Sequence, residues 1–152
     1  MKKLILILIA GMLLSSNAYA EVINLKCTNT EIGTPLSVVI DTKNENVSYQ
    51  GSDPDNYYLE NGVFYFSMKS KESEFRWGFS LNRNTGILTI KGYEFSEEKS
   101  AEIKAEVALE MILAGKTTDD KSYLVKLIID KYNEGEPLET FYLECEKVDP
   151  KF

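Results

Sequence analysis

Apolar and polar residues alternate along much of the chain between residues 22 and 94. Val22 to Cys27 and Leu36 to Asp41 alternate in this way, and Val47 and Tyr49 begin a third such stretch after a polar turn. Period-two alternation is typical of β-strands that have one buried face. These stretches therefore predict three short strands, with Cys27 on the inward face of the first.

Two more hairpins are predicted further along. Asn61-Gly62 is a strong tight-turn sequence, and it separates a short strand at Tyr57 to Leu59 from a strand at Val63 to Met68. In the second hairpin, Phe75, Trp77, Phe79 and Leu81 share one face, which places Arg76 on the other, exposed face. Its turn is Asn82 to Gly86, and Ile87 to Lys91 forms its returning strand.

The pattern becomes helical after Ser96. In the stretch from Ser96 to Ala114, the residues Ile103, Val107 and Met111 recur at helical spacing, and Gly115 follows as a C-terminal stop. The segment from Lys121 to Tyr132 fits a helix and a strand, and we favour the helix because Thr117 to Asp120 can cap it. Leu138 to Lys147 alternates again and predicts a last strand.

Taken together, the pattern predicts a mainly β (α+β) fold. We expect an antiparallel sheet or incomplete barrel of six to eight strands, with a helical insert at about 96–133 before the last strand. Cys27 and Cys145 are the only two cysteines, and both share the apolar face of their strands. In an oxidising compartment such a pair predicts a disulfide, which would join the first and last strands on the core side.

Residues 1–20 have the three-part plan of a secretory signal peptide: a basic start, an apolar stretch from Leu4 to Leu14, and small residues up to Ala20. The apolar stretch is about half the length of a membrane-spanning helix. We therefore predict cleavage after Ala20, a single mature domain at 21–152, and a soluble periplasmic or secreted protein without a membrane anchor.

Charge and composition narrow the range of functions. The net charge of the full chain is −7, and removal of Lys2 and Lys3 with the signal peptide leaves 15 basic and 24 acidic residues, or −9. Such acidity disfavours nucleic acid and anionic lipid as partners and would suit a basic one. The chain has no histidine, which excludes a Ser-His-Asp triad and His-ligated metal. We expect no cofactor, no metal ion and no catalytic residue.

Several features resemble small secreted proteins of Gram-negative bacteria. They are the signal peptide, the early cysteine, the hairpin sequence "FSLNRNTGILTI", and the late cysteine with its short tail, "CEKVDPKF". The resemblance implies a periplasmic location and a β-rich fold. It carries no known activity, so it implies no functional residue.

The sequence leaves three functions open. The first is a non-enzymatic module that binds an unknown protein partner or ligand through its loops or its helical insert. The second is a carrier of a small apolar ligand; its cavity would be lined by Phe64, Phe66, Phe75, Trp77 and Phe79, which would otherwise form the core. The third is a glycan hydrolase using two carboxylates, with Asp55 and Glu60 beside Tyr57-Tyr58 as the nearest candidates. The oligomeric state stays open.

Overall fold

The computed structural model describes residues 21–29, 31, 33–69 and 74–148. The predicted signal peptide and its predicted cleavage point at Ala20 lie outside the described residues. The strands in chain order are β1 (Val22–Thr28), β2 (Leu36–Asp41), β3 (Asn46–Tyr49), β4 (Asp55–Glu60), β5 (Val63–Lys69), β6 (Phe75–Asn82), β7 (Ile87–Glu94) and β8 (Glu139–Lys147). Two helices, α1 (Glu97–Leu113) and α2 (Lys121–Tyr132), lie between β7 and β8.

The eight strands form a closed antiparallel barrel in which each strand pairs with its neighbours in sequence and β8 returns to pair with β1. The prediction of a mainly β fold with a helical insert before the last strand is confirmed, and closure is complete. The segment at 121–132 is a helix, as favoured from the sequence. The strand predicted at Tyr57 to Leu59 extends over Asp55–Glu60.

The predicted disulfide is confirmed at the seam where the barrel closes. Cys27 and Cys145 are register partners on β1 and β8, and their sulfur atoms are bonded. Backbone hydrogen bonds and a covalent bond therefore both hold the first strand to the last.

Alternation along the strands fills the barrel with side chains. The interior cluster contains Leu36, Val38, Ile40, Val47, Phe64, Phe66, Phe79, Leu81, Leu88, Ile90 and Leu143 beside the buried Cys27. A barrel of eight strands is just wide enough for its own side chains to fill it. The barrel interior is thus a packed core.

The two ends of the barrel differ because of how the strands are connected. Tight turns lie at one end, including Asn61-Gly62, where both residues have positive φ (51° and 78°) as a type I′ hairpin turn requires. The longer connections lie at the opposite end, and the helical pair leaves from there. We call the end with the tight turns the barrel mouth.

The helices lie on the outer wall of the barrel. α2 packs against β4, β5 and β6, and α1 packs against α2. The Ser96 side chain caps α1 by accepting a hydrogen bond from the Lys99 backbone nitrogen at 3.1 Å, and two glutamates occupy the first turn, where the helix dipole favours negative charge. The helical pair has a second apolar cluster of its own, separate from the barrel interior.

Candidate binding site

The aromatic residues proposed as a cavity lining occupy two different places. Phe66 and Phe79 are buried and stack with ring centroids 4.6 Å apart, and Phe64 is buried against the edge of Tyr57. Phe75 is 40% exposed and Trp77 is half-buried, both near the end of the barrel opposite the mouth. The structure thus brings Phe64, Phe66 and Phe79 together inside the core and places the other two near its edge.

The carboxylates considered for glycan hydrolysis do not form a pair. Asp55 begins β4 and Glu60 ends it, so about 17 Å of extended chain separates them. Glycosidase carboxylates lie roughly 5–9.5 Å apart. Glu60 also forms an ion pair with Lys126 at 3.2 Å. Within the described residues, no cluster of three or more Cys, Asp or Glu side chains is arranged to hold a metal ion.

A first set of polar contacts attaches α2 to the barrel wall. The Tyr58 hydroxyl on β4 donates a hydrogen bond to Asp130 Oδ1 at 2.7 Å. Lys126 lies 4.7 Å from the centroid of the same tyrosine ring and bridges Glu60 and Asp130. Burial, followed by the hydrogen bond to Asp130, raises the pKa of Tyr58 well above its usual range. The Tyr58 hydroxyl therefore has its hydrogen-bond partner only when α2 is packed against β4.

A second set centres on Arg76, which the alternation of β6 placed on an exposed face. That expectation is wrong, because the helical pair covers this part of the outer wall. The Arg76 guanidinium lies 3.7 Å from the ring centroid of Tyr132, and its Nε donates to Ser67 Oγ at 2.6 Å. Burial lowers the pKa of Arg76. Tyr132 in turn shares a 2.7 Å hydrogen bond with Ser100, so β5, β6, α2 and α1 are linked in one chain of contacts.

The two helices pack on each other through a small cluster. Its buried members are Phe95, Ile103, Val107, Met111 and Tyr132, with Tyr123, Leu124, Leu127 and Ile128 packed against them. Lys131 of α2 ties the pair at its other side through ion pairs with Glu106 and Glu110 at 3.3 and 3.0 Å. This cluster leaves part of its own apolar surface uncovered.

That uncovered surface is a groove of about 480 Å³ between the helices, which we call the helical groove. Its walls include Ile103, Val107, Met111 and Ile112 from α1, and Leu124 and Ile128 from α2. The charged residues that line it are Lys104 and Lys116, one near each end. The groove is therefore apolar along its length and basic at its ends.

An exposed apolar ridge adjoins the helical groove on α1. Leu109, Ile112 and Leu113 are 56%, 72% and 76% exposed, and Ala101, Ala105 and Ala108 continue the exposed surface along the helix. Scattered apolar residues are normal on a protein surface, but a contiguous group is typical of an interaction site. The sequence carried a signal of this, since the C-terminal half of α1 is apolar on nearly all sides, which a helix with one buried face is not.

These features define a class: a small disulfide-closed β-barrel that carries a helical pair with an open apolar groove. None of the helices in the described part of the chain is long and apolar enough to cross a membrane. Comparison with known proteins found no matching family model, no matching curated protein and no matching solved structure.

Proposed function

We propose that the protein is a non-enzymatic periplasmic or secreted binding module, and that its helical groove binds an apolar segment of a partner protein. The single observation that carries this proposal is the groove of about 480 Å³, open and apolar, beside the exposed ridge of α1. In this function the barrel is a rigid support, since its interior is packed and its first and last strands are joined by a disulfide.

The dimensions of the groove favour a polypeptide segment as its occupant. Lys104 and Lys116 mark its two ends, and α1 continues from Lys104 to Leu113, which is about 14 Å of helix. A docked helix of that length presents about two and a half turns, with apolar anchors at i, i+3 or i+4, and i+7. The ridge of Leu109, Ile112 and Leu113 would enlarge the contact beyond the groove itself.

Charge selects the kind of segment. The overall acidity of the chain favours a basic partner at long range. At the groove, however, the lining charges are two lysines, of which Lys116 forms an ion pair with Asp120 at 3.4 Å, so a bound segment is best matched by an acidic residue at its Lys104 end. Apolar contact would supply most of the affinity, and Lys104 would fix the register of the segment.

The disulfide supports the proposed compartment. Bridges of this kind persist in oxidising environments such as the periplasm or the extracellular space. The signal-peptide pattern of residues 1–20 points to the same route.

A photo-crosslinking experiment tests the proposal. Ile112 is replaced with a benzoylphenylalanine residue in the cells that produce the protein, and the crosslinked segment is identified by mass spectrometry. A synthetic peptide of that segment is then titrated into wild-type protein and into Ile112→Glu. Leu138→Glu is the matched control, because Leu138 is also exposed (59%) but lies outside the helical pair.

We expect an apolar segment with an acidic residue at one end, whose affinity falls about tenfold or more in Ile112→Glu and is unchanged in Leu138→Glu. We also expect Lys104→Glu to weaken the same peptide, since it reverses a charge that lines the groove. Equal binding by the two exposed-site variants would show that the groove is not the docking surface. Tighter binding by Lys104→Glu would show that the segment is basic.

A further inference from the structure

The barrel mouth holds a second cavity, at a distance from the helical groove in the fold. It has a volume of about 240 Å³, and its floor is formed by the buried side chains of Ile40, Phe64 and Leu81. Half-buried Ile23 and Leu25 extend the apolar wall toward solvent. The mouths of β-barrels are common positions for small-molecule sites, because the closed sheet shapes a concave apolar surface there.

The β6–β7 turn places one arginine at the rim of this cavity. The Arg83 backbone nitrogen donates to the Gly62 carbonyl of the neighbouring turn at 3.0 Å. Asn82 Oδ1 accepts hydrogen bonds from the backbone nitrogens of Asn84 and Thr85 at 2.9 and 3.2 Å. The turn is therefore fixed by its own side chain and by its neighbour. The Arg83 guanidinium lies 5.7 Å from the ring centroid of Phe64, on the floor of the cavity.

Two cations line the mouth cavity, Arg83 and Lys147. Lys147 forms an ion pair with Glu21. In the described part of the chain, no carboxylate lies within 4 Å of the Arg83 guanidinium. A planar guanidinium is suited to bidentate contact with a carboxylate. The mouth thus combines an apolar cup with an arginine that no carboxylate of the described chain contacts directly, while Asp41 and Glu45 lie further off at the same end of the barrel.

We infer that the barrel mouth is a binding site for a small monocarboxylic acid with an apolar body. The carboxylate contacts Arg83, and the hydrocarbon lies against Ile23, Leu25 and Phe64. A volume of 240 Å³ is that of about eight water molecules in the liquid, so a body of about eight heavy atoms fits. This site is independent of the helical groove, and it would serve whether or not a protein partner binds there.

Titration with octanoate, monitored by backbone amide chemical shifts, tests the site. 1-Octanol is the neutral probe of nearly the same size and shape. Arg83→Gln removes the cation and keeps the backbone hydrogen bonds of the turn. Lys43→Gln is the matched control, because it removes one positive charge from an exposed turn at the same end of the barrel without touching the cavity. Thermal unfolding confirms that both variants fold.

We expect octanoate to shift the amide signals of Arg83 and Gly86 at the mouth, and to bind wild type and Lys43→Gln equally. Arg83→Gln should bind octanoate about five- to tenfold more weakly, as expected for the loss of a charge-assisted contact at a partly exposed site. 1-Octanol should bind wild type more weakly by a similar factor. Shifts confined to other parts of the protein would overturn the inference, as would unchanged octanoate affinity in Arg83→Gln or equal affinity for the two probes.

Discussion

Removal of the seam disulfide should lower stability by an amount that the structure allows to be estimated. The perturbation is the double variant Cys27→Ala/Cys145→Ala, which leaves no unpaired thiol behind. The bond joins residues 118 apart in sequence, so it closes almost the whole described chain into one loop. The chain-entropy model assigns about 5 kcal/mol to a loop of this length, although measured losses commonly fall between 2 and 5 kcal/mol.

The native barrel should survive this change in water. The β1–β8 pairing extends from Leu25–Lys147 to Thr28–Glu144, so the seam keeps its backbone hydrogen bonds when the sulfur atoms are gone. The free energy of unfolding of a single domain is typically about 5–15 kcal/mol. We therefore expect the variant to stay folded in water with a much smaller free energy of unfolding.

Urea denaturation followed by circular dichroism is the assay, with wild-type protein in oxidising buffer as the reference. A slope of about 2 kcal/mol per molar urea converts the expected loss into a fall in midpoint of about 1–2.5 M. The slope itself should rise, because the unfolded chain without a crosslink is less compact and exposes more surface. A loss under about 1 kcal/mol with an unchanged slope would refute the reasoning, since it would show that the bond does not restrict the unfolded chain.

Two further predictions concern the attachment of the helical pair. Gly78→Ala should lower the free energy of unfolding by about 1–3 kcal/mol, because an added Cβ would lie 2.4 Å from Asn133 Oδ1. In urea denaturation, adding Asn133→Ala to this variant should remove most of that loss. Strictly additive losses from the two substitutions would contradict the proposed clash. Tyr58→Phe should lower stability by about 1 kcal/mol at pH 7 through loss of its hydrogen bond to Asp130. The stability difference between wild type and Tyr58→Phe should narrow above about pH 10. The pKa of Tyr58 is raised in the folded protein, so the hydroxyl ionises first in the unfolded wild type and stabilises that state. A difference that stays constant from pH 7 to 11 would contradict this linkage.

The residues that face the barrel interior were largely readable from alternation. Strand pairing then follows from short connections, and the positions of Cys27 and Cys145 on the apolar faces of their strands predict the link between the first strand and the last. The sequence predicts too short a β4, partly because Asp55 and Asn56 have low strand propensity. They join the ladder because β3 pairs with them through Val47–Asp55 and Asn46–Asn56, which is a tertiary effect.

The outer face was harder to predict because alternation assigns a residue to a face without saying what covers that face. Arg76 and Tyr58 both lie on the outside of the barrel, and the sequence pattern predicts an exposed face for Arg76. The docking of α2 places Arg76 against Tyr132 and Tyr58 against Asp130, so that Arg76 is half-buried and Tyr58 is buried. The helical groove depends on the packing of α1 against α2, so the spacing of apolar residues in α1 could indicate a second apolar face but not its shape. For Arg83, the sequence around it is sufficiently explained by the requirements of a tight turn. Its position beside the mouth cavity follows only from closure of the barrel.

Because the two apolar clusters are separate, the helical groove and the barrel mouth can each be changed without disturbing the other. The barrel core and the helical cluster have no buried residue in common, and polar contacts such as those of Tyr58 and Arg76 help to connect them. Substitution of an exposed groove residue such as Ile112 should therefore leave the barrel and its mouth intact. Arg83 is held by hydrogen bonds within the tight turns, which do not involve the helices. Loss of peptide binding in Ile112→Glu and of octanoate binding in Arg83→Gln would thus indicate two separate sites. Each of the two proposals can be refuted while the other still holds.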